Sequence, residues 1–512
     1  MDQTPQDMTT ILRCNTALQV GPATKLWRSL HLPLEFLEYL HLTENPDPAV
    51  NSSFKLGTTA QTSIGLAALS AAYFHKLRTG ISQDVSVNVR HAVIEFKSEA
   101  YYLIDGQPPK LGALFDKLSG VYKTKDSNYV RIHTNFPHHR QGILDILKCE
   151  PTKESIADAM LQWNSADIES EASSRKMVVT ALRSFHEWDE HPQGIALAQT
   201  PPVTLIKVGD APKRANNKPY QYPLEDIRVL DLTRVLAGPV CGRTLAAYGA
   251  DVLWVTSPKL PDLPVLDTDT SRGKRTTQLD LTKEEDRSTL RSLVKDADIF
   301  LQAYRPGGLS EKGFGVEDVV SARPGIIYAS LTAYGWDGPW SGRRGFDSLV
   351  QTASGFNVAE GESYARYKEQ TLKGNERVVP KPLPMQALDH AAGYFLAFGI
   401  NAALAKTITE GGSWEVRVSL AAVGQWIRHL GQMDPTVAFG AGKPLPQNPE
   451  SDEIKEFSLT IPRSSDFGEE SLMTKCPSTL TAVKHVATFS KTSRLEGISP
   501  TSLHTSAPGW KL

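Results

Sequence analysis

The sequence has little of what marks a secreted, membrane-bound or nucleic-acid-binding protein. Four cysteines are spread over 512 residues, and their spacing forms neither a disulfide framework nor a metal-type pair. No apolar run reaches the roughly 18 residues of a membrane span, and no apolar signal-peptide core opens the chain. The net charge is −2, without a basic stripe. These absences predict a protein of a reducing compartment that binds no metal, membrane or nucleic acid.

The end of the chain also bears on the compartment. The last residues are Trp510, Lys511 and Leu512. The final two match a peroxisomal signal, whereas the tryptophan stands where that signal has a small residue. We therefore predict a cytoplasmic protein, with the peroxisome or the mitochondrion as alternatives.

A strand, a helix and a second strand are predicted between Ile227 and Val255. The segment reads IRVLDLTRVLAGPVCGRTLAAYGADVLWV, which has the length and pattern of a βαβ half. The alternation continues with a helix over 280–297 and with strands in DIFLQAY and GIIYASLTAYG. It predicts an α/β fold in which helices cover both faces of a parallel sheet. The G-x-G-x-x-G fingerprint of dinucleotide binding is missing.

The predicted organisation has five parts, because 512 residues suit more than one domain. The parts are an N-terminal segment 1–56, a helix unit plus a small α+β domain 57–210, a polar linker 211–223, a Rossmann-like parallel-sheet domain 224–432, and a C-terminal tail 433–512. The tail is rich in Pro, Ser and Thr and is predicted to be loop-like.

One unit occurs twice along the chain. The stretch GGSWEVRVSLAAV resembles GISQDVSVNVRHAV near the N-terminus. When Trp414 is placed on Gln83, the small-residue helices that precede the two stretches also superpose, and Asp389 falls on Thr58. Only the second copy therefore carries a carboxylate at the start of its helix.

Several separated motifs resemble the family III CoA-transferases, the group of formyl-CoA transferase and carnitine CoA-transferase, whose fold the α-methylacyl-CoA racemases share. The matching stretches are VLDLTRVLAGPVCGRTLAAYGADVLWV, SRGKRTTQLDL, DADIFLQAYRPGGLSEKGFG, ASLTAYGWDGPWSGRRGFDSLVQTASG and ALDHAAGYFLAFGINAALAK. They cover most of residues 223–432 in the family's order. The N-terminal half resembles the family's later region, so the chain looks like a rearranged member with the small-domain part first.

The resemblance implies that Asp389 is the catalytic nucleophile. From the residues alone, an aspartate at a helix start is typical of an N-cap. The two roles are compatible, because a helix N-terminus stabilises a carboxylate by up to about 1 kcal/mol and favours its ionised form. We also expect the small residues that follow Asp389 to let a substrate approach closely.

The resemblance further implies that coenzyme A, rather than a dinucleotide, lies against the strand ends. The implied contacts with CoA come from Val235, Leu236, Ala237, Arg272, Lys274, Arg275, Ala303, Tyr304 and Tyr334. As alternatives, the SRGKR segment is a solvated turn and the tyrosines are packing residues.

The implied reaction moves CoA from an acyl-CoA donor to a small carboxylic acid through a covalent aspartyl-CoA thioester, without a tightly bound cofactor. A racemase or epimerase is one alternative. However, Phe346 stands where the racemases carry the His of a GHD motif, and phenylalanine cannot move a proton. His390 is the other candidate for that base, but its place beside Asp389 on a helix points it in another direction. Asp347 is predicted to be a cap or hydrogen-bond partner rather than a base.

A non-catalytic CoA-binding relative is the other alternative, because the segment DGQPPKLG lacks the glycine run that covers the nucleophile in formyl-CoA transferase. A homodimer stays open. If the two copies of the repeat pack together, one chain supplies one working site at Asp389 and one vacant site at Thr58.

Overall fold

The N-terminal region combines a short sheet with one long buried helix. The structure, a computed structural model, describes residues 21–109, 115–215, 218–369, 377–463 and 478–511. The first elements are α1 Pro22–Ser29, a 3₁₀ turn Leu34–Tyr39, β1 Leu40–Leu42, α2 Leu56–Thr79, β2 Val85–Val87, α3 Val89–Glu95, a 3₁₀ turn Ser98–Ala100 and β3 Leu103–Ile104. Helix α2 is rich in Ala, Ser and Leu and almost wholly buried, as its lack of a polar face predicts.

A small α+β region follows. Its elements are β4 Gly120–Lys123, β5 Tyr129–Ile132, α4 Pro137–Leu147, α5 Lys153–Met160, α6 Ser165–Ser174, β6 Val179–Ala181, α7 Phe185–Glu190, α8 Pro192–Leu197 and β7 Thr204–Gly209. Strands β4, β5 and β6 form an antiparallel sheet. The turn between β4 and β5 contains Ser127 at a φ of 60°, in the left-handed region that turn residues adopt.

The second half of the chain alternates strands and helices. Its elements are β8 Arg228–Leu232, α9 Ala237–Ala247, β9 Asp251–Thr256, α10 Pro264–Thr270, β10 Arg275–Gln278, α11 Glu284–Lys295, β11 Ile299–Gln302, a 3₁₀ turn Ser310–Lys312, α12 Val316–Ala322, β12 Ile327–Thr332, α13 Asp347–Ala353, α14 Phe356–Tyr367, α15 Ala387–Thr409, β13 Ser413–Ser419 and α16 Leu420–His429. The predicted mixed α/β class is confirmed.

Seven strands form the central sheet in the order β10-β9-β8-β11-β12-β13-β7. All neighbours are parallel except β7, which runs antiparallel to β13. Counted from β8, the six parallel strands have the order 3-2-1-4-5-6 of doubly wound sheets. The chain reverses direction between β8 and β11, and this switch point leaves a crevice at the carboxyl ends of the strands.

The C-terminal tail contains regular structure, so the prediction of a loop-like tail is wrong. It holds a π-helical turn Val437–Ala441, then α17 Asp452–Glu456, β14 Ser458–Pro462, β15 Thr479–Val483 and β16 Thr488–Phe489. Strand β15 pairs with β14 and with β3, and β16 pairs with β2. The Ser/Thr-rich strands are short and partly exposed, so they lack the apolar run that marks a strand in sequence. The predicted domain boundaries stay predictions, although strand pairing crosses them.

The repeat is visible in the backbone. In the register that places Trp414 on Gln83, α15 begins where α2 begins. The preceding residues have nearly the same conformation, with φ −76° and ψ 65° at Lys55 and φ −78° and ψ 66° at Gln386. The sheet β1-β2-β16 also repeats the edge β12-β13-β7, because each has one parallel and one antiparallel pair.

The two long helices α2 and α15 pack against each other in the interior. Asn401 of α15 donates from Nδ2 to the Ala67 carbonyl of α2 at 3.0 Å. Helix α15 is long and apolar enough to cross a membrane, but 94% of its apolar 18-residue stretch is buried inside the protein. These properties match a core helix.

A buried ion network ties the N-terminal region to the sheet. Arg243 of α9 is fully buried and pairs with Asp269. It also donates to the Ser98 hydroxyl at 2.9 Å and lies 3.8 Å from Glu95. Because an unpaired buried charge is costly, these contacts fix the N-terminal region against α9 and α10.

We expect Arg243→Met to lower the free energy of unfolding by about 3–5 kcal/mol, because Asp269 is left buried without its partner. Urea denaturation followed by circular dichroism measures the change. The control is Arg291→Met, which removes an exposed pair with Glu284 and should leave the transition in place. Equal effects of the two substitutions would contradict the prediction.

Candidate active site

A narrow cleft lies at the switch point of the central sheet. Its walls include the turn after β8, the residues after β11 and the first turn of α15. The residues that the argument uses are Val235, Leu236, Ala237, Gly238, Ala303, Tyr304, Arg305 and Asp389. We call this space the central cleft. Ligands of open α/β sheets bind at such positions.

The turn after β8 is strained and tightly packed. Val235 has a φ of 75°, which is unusual for a β-branched residue and is typical of sites held by their surroundings. A side chain on Gly238 would come within 2.5 Å of Thr233, so only glycine fits here. The amides of Ala237 and Gly238 begin α9 and have no acceptor inside the helix. They are donors that line the cleft.

Asp389 is the third residue of α15 and lines the cleft. Its side chain is largely buried, with 9% of its surface exposed. Within the described ranges, no side chain or amide donates a hydrogen bond to its carboxylate. The carboxylate is therefore directed at a ligand space without being neutralised by the protein.

The expectation that Asp389 caps its own helix is wrong. The capping position is Gln386. Asp347 accepts the hydrogen bonds from the amides of Leu388 at 2.8 Å and Asp389 at 3.0 Å. The helix N-terminus therefore serves a second aspartate, which the sequence correctly marks as a cap. The small residue Gly393 also has another role than predicted, because a side chain there would meet the Ala237 carbonyl at 2.6 Å. It allows α9 to pack on α15.

The surroundings of Asp389 disfavour its charge. Burial, the neighbouring Asp347 and then Glu99 raise the pKa of Asp389 well above its usual value. Burial likewise raises the pKa of Asp347, although the two amides and Gln351 oppose the change. The helix amides therefore act on Asp347 rather than on Asp389, so the helix N-terminus does not offset the burial of the Asp389 carboxyl as expected.

The structure brings together six of the ten residues predicted for the site. Asp389 and five of the predicted CoA contacts, Val235, Leu236, Ala237, Ala303 and Tyr304, line the central cleft. Tyr334 is buried and packs its ring edge-on against Trp340 at 5.0 Å. In this structure it is a packing residue outside the cleft lining.

The three predicted phosphate ligands are engaged elsewhere. Lys274 is fully buried, with Nζ 2.8 Å from Asp231. Arg272 lies 2.9 Å from Asp269, and both are buried. Arg275 pairs with Asp251 at 2.8 Å. Each guanidinium or ammonium group would have to leave a carboxylate to meet a phosphate, so the geometry disfavours these contacts.

Other cations, which the sequence motifs did not single out, lie closer to ligand space. Arg305 lines both the central cleft and a neighbouring groove of about 490 Å³. This groove, the sheet-end groove, is lined by Leu232, Val255, Lys259, Leu279, Tyr304 and Lys312 among others. Lys259, Arg305 and Lys312 lie in segments that follow strands, at the carboxyl edge of the central sheet. A basic residue at that position of the βαβ pattern is the sequence signal that could have identified them.

A second cavity opens on the other side of the cleft, between the small α+β region and the sheet. It has a volume of about 530 Å³ and shares Val235 with the cleft. Most of its lining is apolar, with Phe115, Leu118, Phe136, Leu263, Val265 and Leu266, and four charged residues also line it, Asp116, Lys117, Arg140 and Asp262. We call it the apolar chamber.

Phe346 lines the central cleft, whereas the two histidines near it that bear on a racemase occupy structural positions. Phe346 stacks on His133 with ring centroids 4.1 Å apart. Burial and then Arg131 lower the pKa of His133 to about 3, so that ring is neutral. His390 bonds to Glu99 at 2.9 Å and stacks on Phe96, and is fully buried. Neither histidine lines the cleft.

The predicted lid DGQPPKLG lies partly outside the described residues, since 110–114 are not described. In the described part of the chain, no cluster of three His, Cys, Asp or Glu residues could hold a metal ion.

Comparison with known proteins supports the motif assignments. The sequence profile of CoA-transferase family III matches residues 224–452. Acetyl-coenzyme A transferase nodX of Hypoxylon pulicicidum is 36% identical over 217 residues, which are 41% of this chain and 35% of that protein. The probable fatty acyl-CoA transferase Rv3272 of Mycobacterium tuberculosis is 36% identical over 195 residues, which are 36% of this chain and 46% of that protein.

Two solved structures are also similar. A crystal structure of Rv3272 from Mycobacterium tuberculosis has a TM-score of 0.36 and 33% identity, and the match covers 41% of this chain and 57% of that one. A CaiB/BaiF family protein from Brucella suis has a TM-score of 0.34 and 28% identity, and the match covers 40% of this chain and 55% of that one. The chain thus spans about a third to a little over half of the length of these relatives.

The sheet and its cleft define an α/β protein with a candidate ligand site at the carboxyl ends of parallel strands. Within that class, residues 224–452 match the model of CoA-transferase family III, the family that the sequence motifs resemble.

We expect Asp389→Asn to stabilise the protein at pH 8 and to have little effect near pH 3. A carboxyl with a raised folded-state pKa is protonated in both states at low pH and penalises folding once the unfolded state ionises. Asparagine removes that penalty at high pH. Thermal unfolding of both proteins between pH 3 and pH 8 measures the difference. A lower midpoint for the variant at pH 8 would show that Asp389 is not disfavoured in its charged form.

Proposed function

We propose that the protein transfers coenzyme A between an acyl-CoA and a carboxylic acid through a covalent thioester on Asp389. The observation that supports this most is the carboxylate of Asp389, which faces the central cleft with no hydrogen-bond donor among the described residues. Ala237 and Gly238, at the start of α9, line the same cleft. The family match over residues 224–452 supports the same chemistry.

The reaction begins with attack of the Asp389 carboxylate on the thioester carbonyl of the acyl-CoA. The C–S bond breaks, CoA leaves as thiolate, and a mixed anhydride forms. The thiolate then attacks Cγ of Asp389, and the donor acyl group leaves as a carboxylate. An acceptor carboxylate attacks the aspartyl-CoA thioester and forms a second anhydride. The released thiolate attacks the acceptor carbonyl, and Asp389 is regenerated.

The turn after β8 stabilises the charge that develops in each step. The tetrahedral intermediates carry a negative oxygen, which requires preorganised donors. The amides of Ala237 and Gly238 suit this role because they line the cleft and have no intrahelical acceptor. The strained backbone at Val235 holds them in position.

The cavities on the two sides of the cleft suit the two ends of an acyl-CoA. The sheet-end groove has cations at Arg305 and Lys312, which suit phosphate groups. Lys259 in the same groove pairs with Asp280 at 2.9 Å. The apolar chamber lies on the other side of Val235 and suits the acyl group or the acceptor acid. CoA would then extend from the groove through the cleft, with its sulfur near Asp389.

We expect Arg305→Met to weaken CoA binding about tenfold, because a charge-assisted bond to a phosphate is lost, with no change in the unfolding transition. Lys274→Met should instead destabilise the fold, since Asp231 loses its buried partner. Isothermal titration with CoA and urea denaturation separate the two effects. If Lys274→Met weakens CoA binding without destabilising the protein, Lys274 is a phosphate ligand after all.

We expect Asp389→Asn to bind CoA normally and to lose CoA transfer to background, because an amide cannot form the anhydride. Hydroxylamine should trap one hydroxamate per parent chain, at Asp389, and none in the variant. Mass spectrometry of peptides counts the adduct, and incubation of a chiral 2-methylacyl-CoA in D₂O serves as the racemase control. Turnover of the variant within tenfold of the parent would refute the nucleophile, whereas enzyme-dependent α-deuteration would support the racemase alternative.

A further inference from the structure

Both oxygens of Asp347 are occupied at the start of α15. Its Oδ2 accepts from the amides of Leu388 and Asp389 at 2.8 and 3.0 Å, and its Oδ1 accepts from Nε2 of Gln351. The side chain is fully buried. Two of the amides that would otherwise be unpaired at this helix end are thereby used before Asp389 can use them.

An acidic residue at the third position of a helix commonly folds back onto the helix N-terminus. Such a bond stabilises the carboxylate, and a stabilised carboxylate is a weaker nucleophile. Among the described residues, Asp389 makes no such bond. Asp347 instead accepts from the amides of Leu388 and Asp389. It also places a second carboxylate beside the first, and like charges make a carboxylate more basic.

The first copy of the repeat contains the same cap without the second carboxylate. Asp47 accepts from the amides of Gly57 at 2.7 Å and Thr58 at 3.0 Å. In the register of the repeat, these amides correspond to those of Leu388 and Asp389. The Thr58 hydroxyl donates to Asp47 at 2.6 Å, so a hydrogen bond replaces the pair of carboxylates. An aspartate that caps the long helix is therefore a structural feature of both copies. Only in the second copy does this aspartate lie beside another carboxylate that lines a cleft.

We propose that Asp347 is a positioning residue for the reaction. It fixes the backbone of Leu388 and Asp389 at the start of α15, where the Asp389 side chain lines the central cleft, and it places a second carboxylate beside that side chain. This inference rests on the proposed function, because it requires Asp389 to be the nucleophile.

Other charged groups lie near Asp347 and Asp389 and are the same in the parent and in every variant. Glu99 and His390 form a bonded pair on the N-terminal side, and Glu99 acts on Asp389. Arg131 of β5 interacts with Asp347. Arg234 and Arg343 line the cleft. None of these groups is altered in the variants.

The test is the pH dependence of kcat/KM for CoA transfer in Asp347→Asn, Asp347→Ser and the control Asp47→Asn. Asparagine and serine can still accept from the helix amides but carry no charge. We expect the acid limb of the profile, which reports the carboxylate pair, to move to lower pH by about one unit in both Asp347 variants. We also expect kcat on the alkaline plateau to fall several-fold, because the carboxylate is less basic. Asp47→Asn should keep the parental limb.

A purely structural cap would change thermal midpoints alike in both copies without moving the acid limb. An unmoved limb in the Asp347 variants, or an equal shift in Asp47→Asn, would therefore overturn the inference. If one Asp347 variant does not fold, the other supplies the profile. Failure of the proposed function gives a different result. It appears as CoA transfer that is retained in Asp389→Asn, whereas the inference fails only if the pH profiles of the Asp347 variants do not shift as expected.

Discussion

The packing of the two long helices α2 and α15 is the constraint on which the rest of the structure depends. Both are buried along nearly their whole length, and α9 packs on α15 where Gly393 leaves room for the Ala237 carbonyl. Close packing of this kind needs small residues, because a single added methyl group would meet backbone atoms. The arrangement fixes the start of α15 against the turn after β8, which is where the cleft forms.

The balance of buried charge distinguishes the scaffold from the site. Arg243 with Asp269 and Lys274 with Asp231 are buried pairs of opposite charge, so each carboxylate has a cation that offsets its desolvation. Asp347 and Asp389 are two buried carboxylates side by side, and burial raises the pKa of both. A like-charged pair is unfavourable for stability and is typical of sites that need a reactive group.

The path of the chain makes the two copies of the repeat interdependent. Strand β7 leaves the small α+β region and completes the sheet of the second copy at β13, whereas β16 returns from the C-terminal region to β2 of the first copy. Each copy thus lends a strand to the other. In addition, Glu99 of the N-terminal region reaches His390, the residue that follows Asp389. The N-terminal half is therefore part of the surroundings of Asp389 and is more than an appended domain.

The sequence by itself determined the class of the fold, the presence of the repeat and the placement of Asp389 at the start of a long core helix. Apolar strands of a covered parallel sheet and long apolar core helices produce local patterns that can be read along the chain. The recognised motifs lie in the segment that matches the model of CoA-transferase family III. The sequence could not determine which cations face the cleft, because Lys274 and Arg305 are both basic residues next to strand or loop motifs. They differ in their surroundings in the fold, because Lys274 pairs with Asp231, which is distant in sequence, whereas Arg305 lines open ligand space.

The tertiary structure likewise decided which aspartate caps α15. Asp389 is at the helix start and Asp347 is far from it in sequence, so local reasoning assigned the helix amides to Asp389. The fold brings Asp347 to those amides, and the energetic environment of a buried carboxylate depends on neighbours in space rather than in sequence.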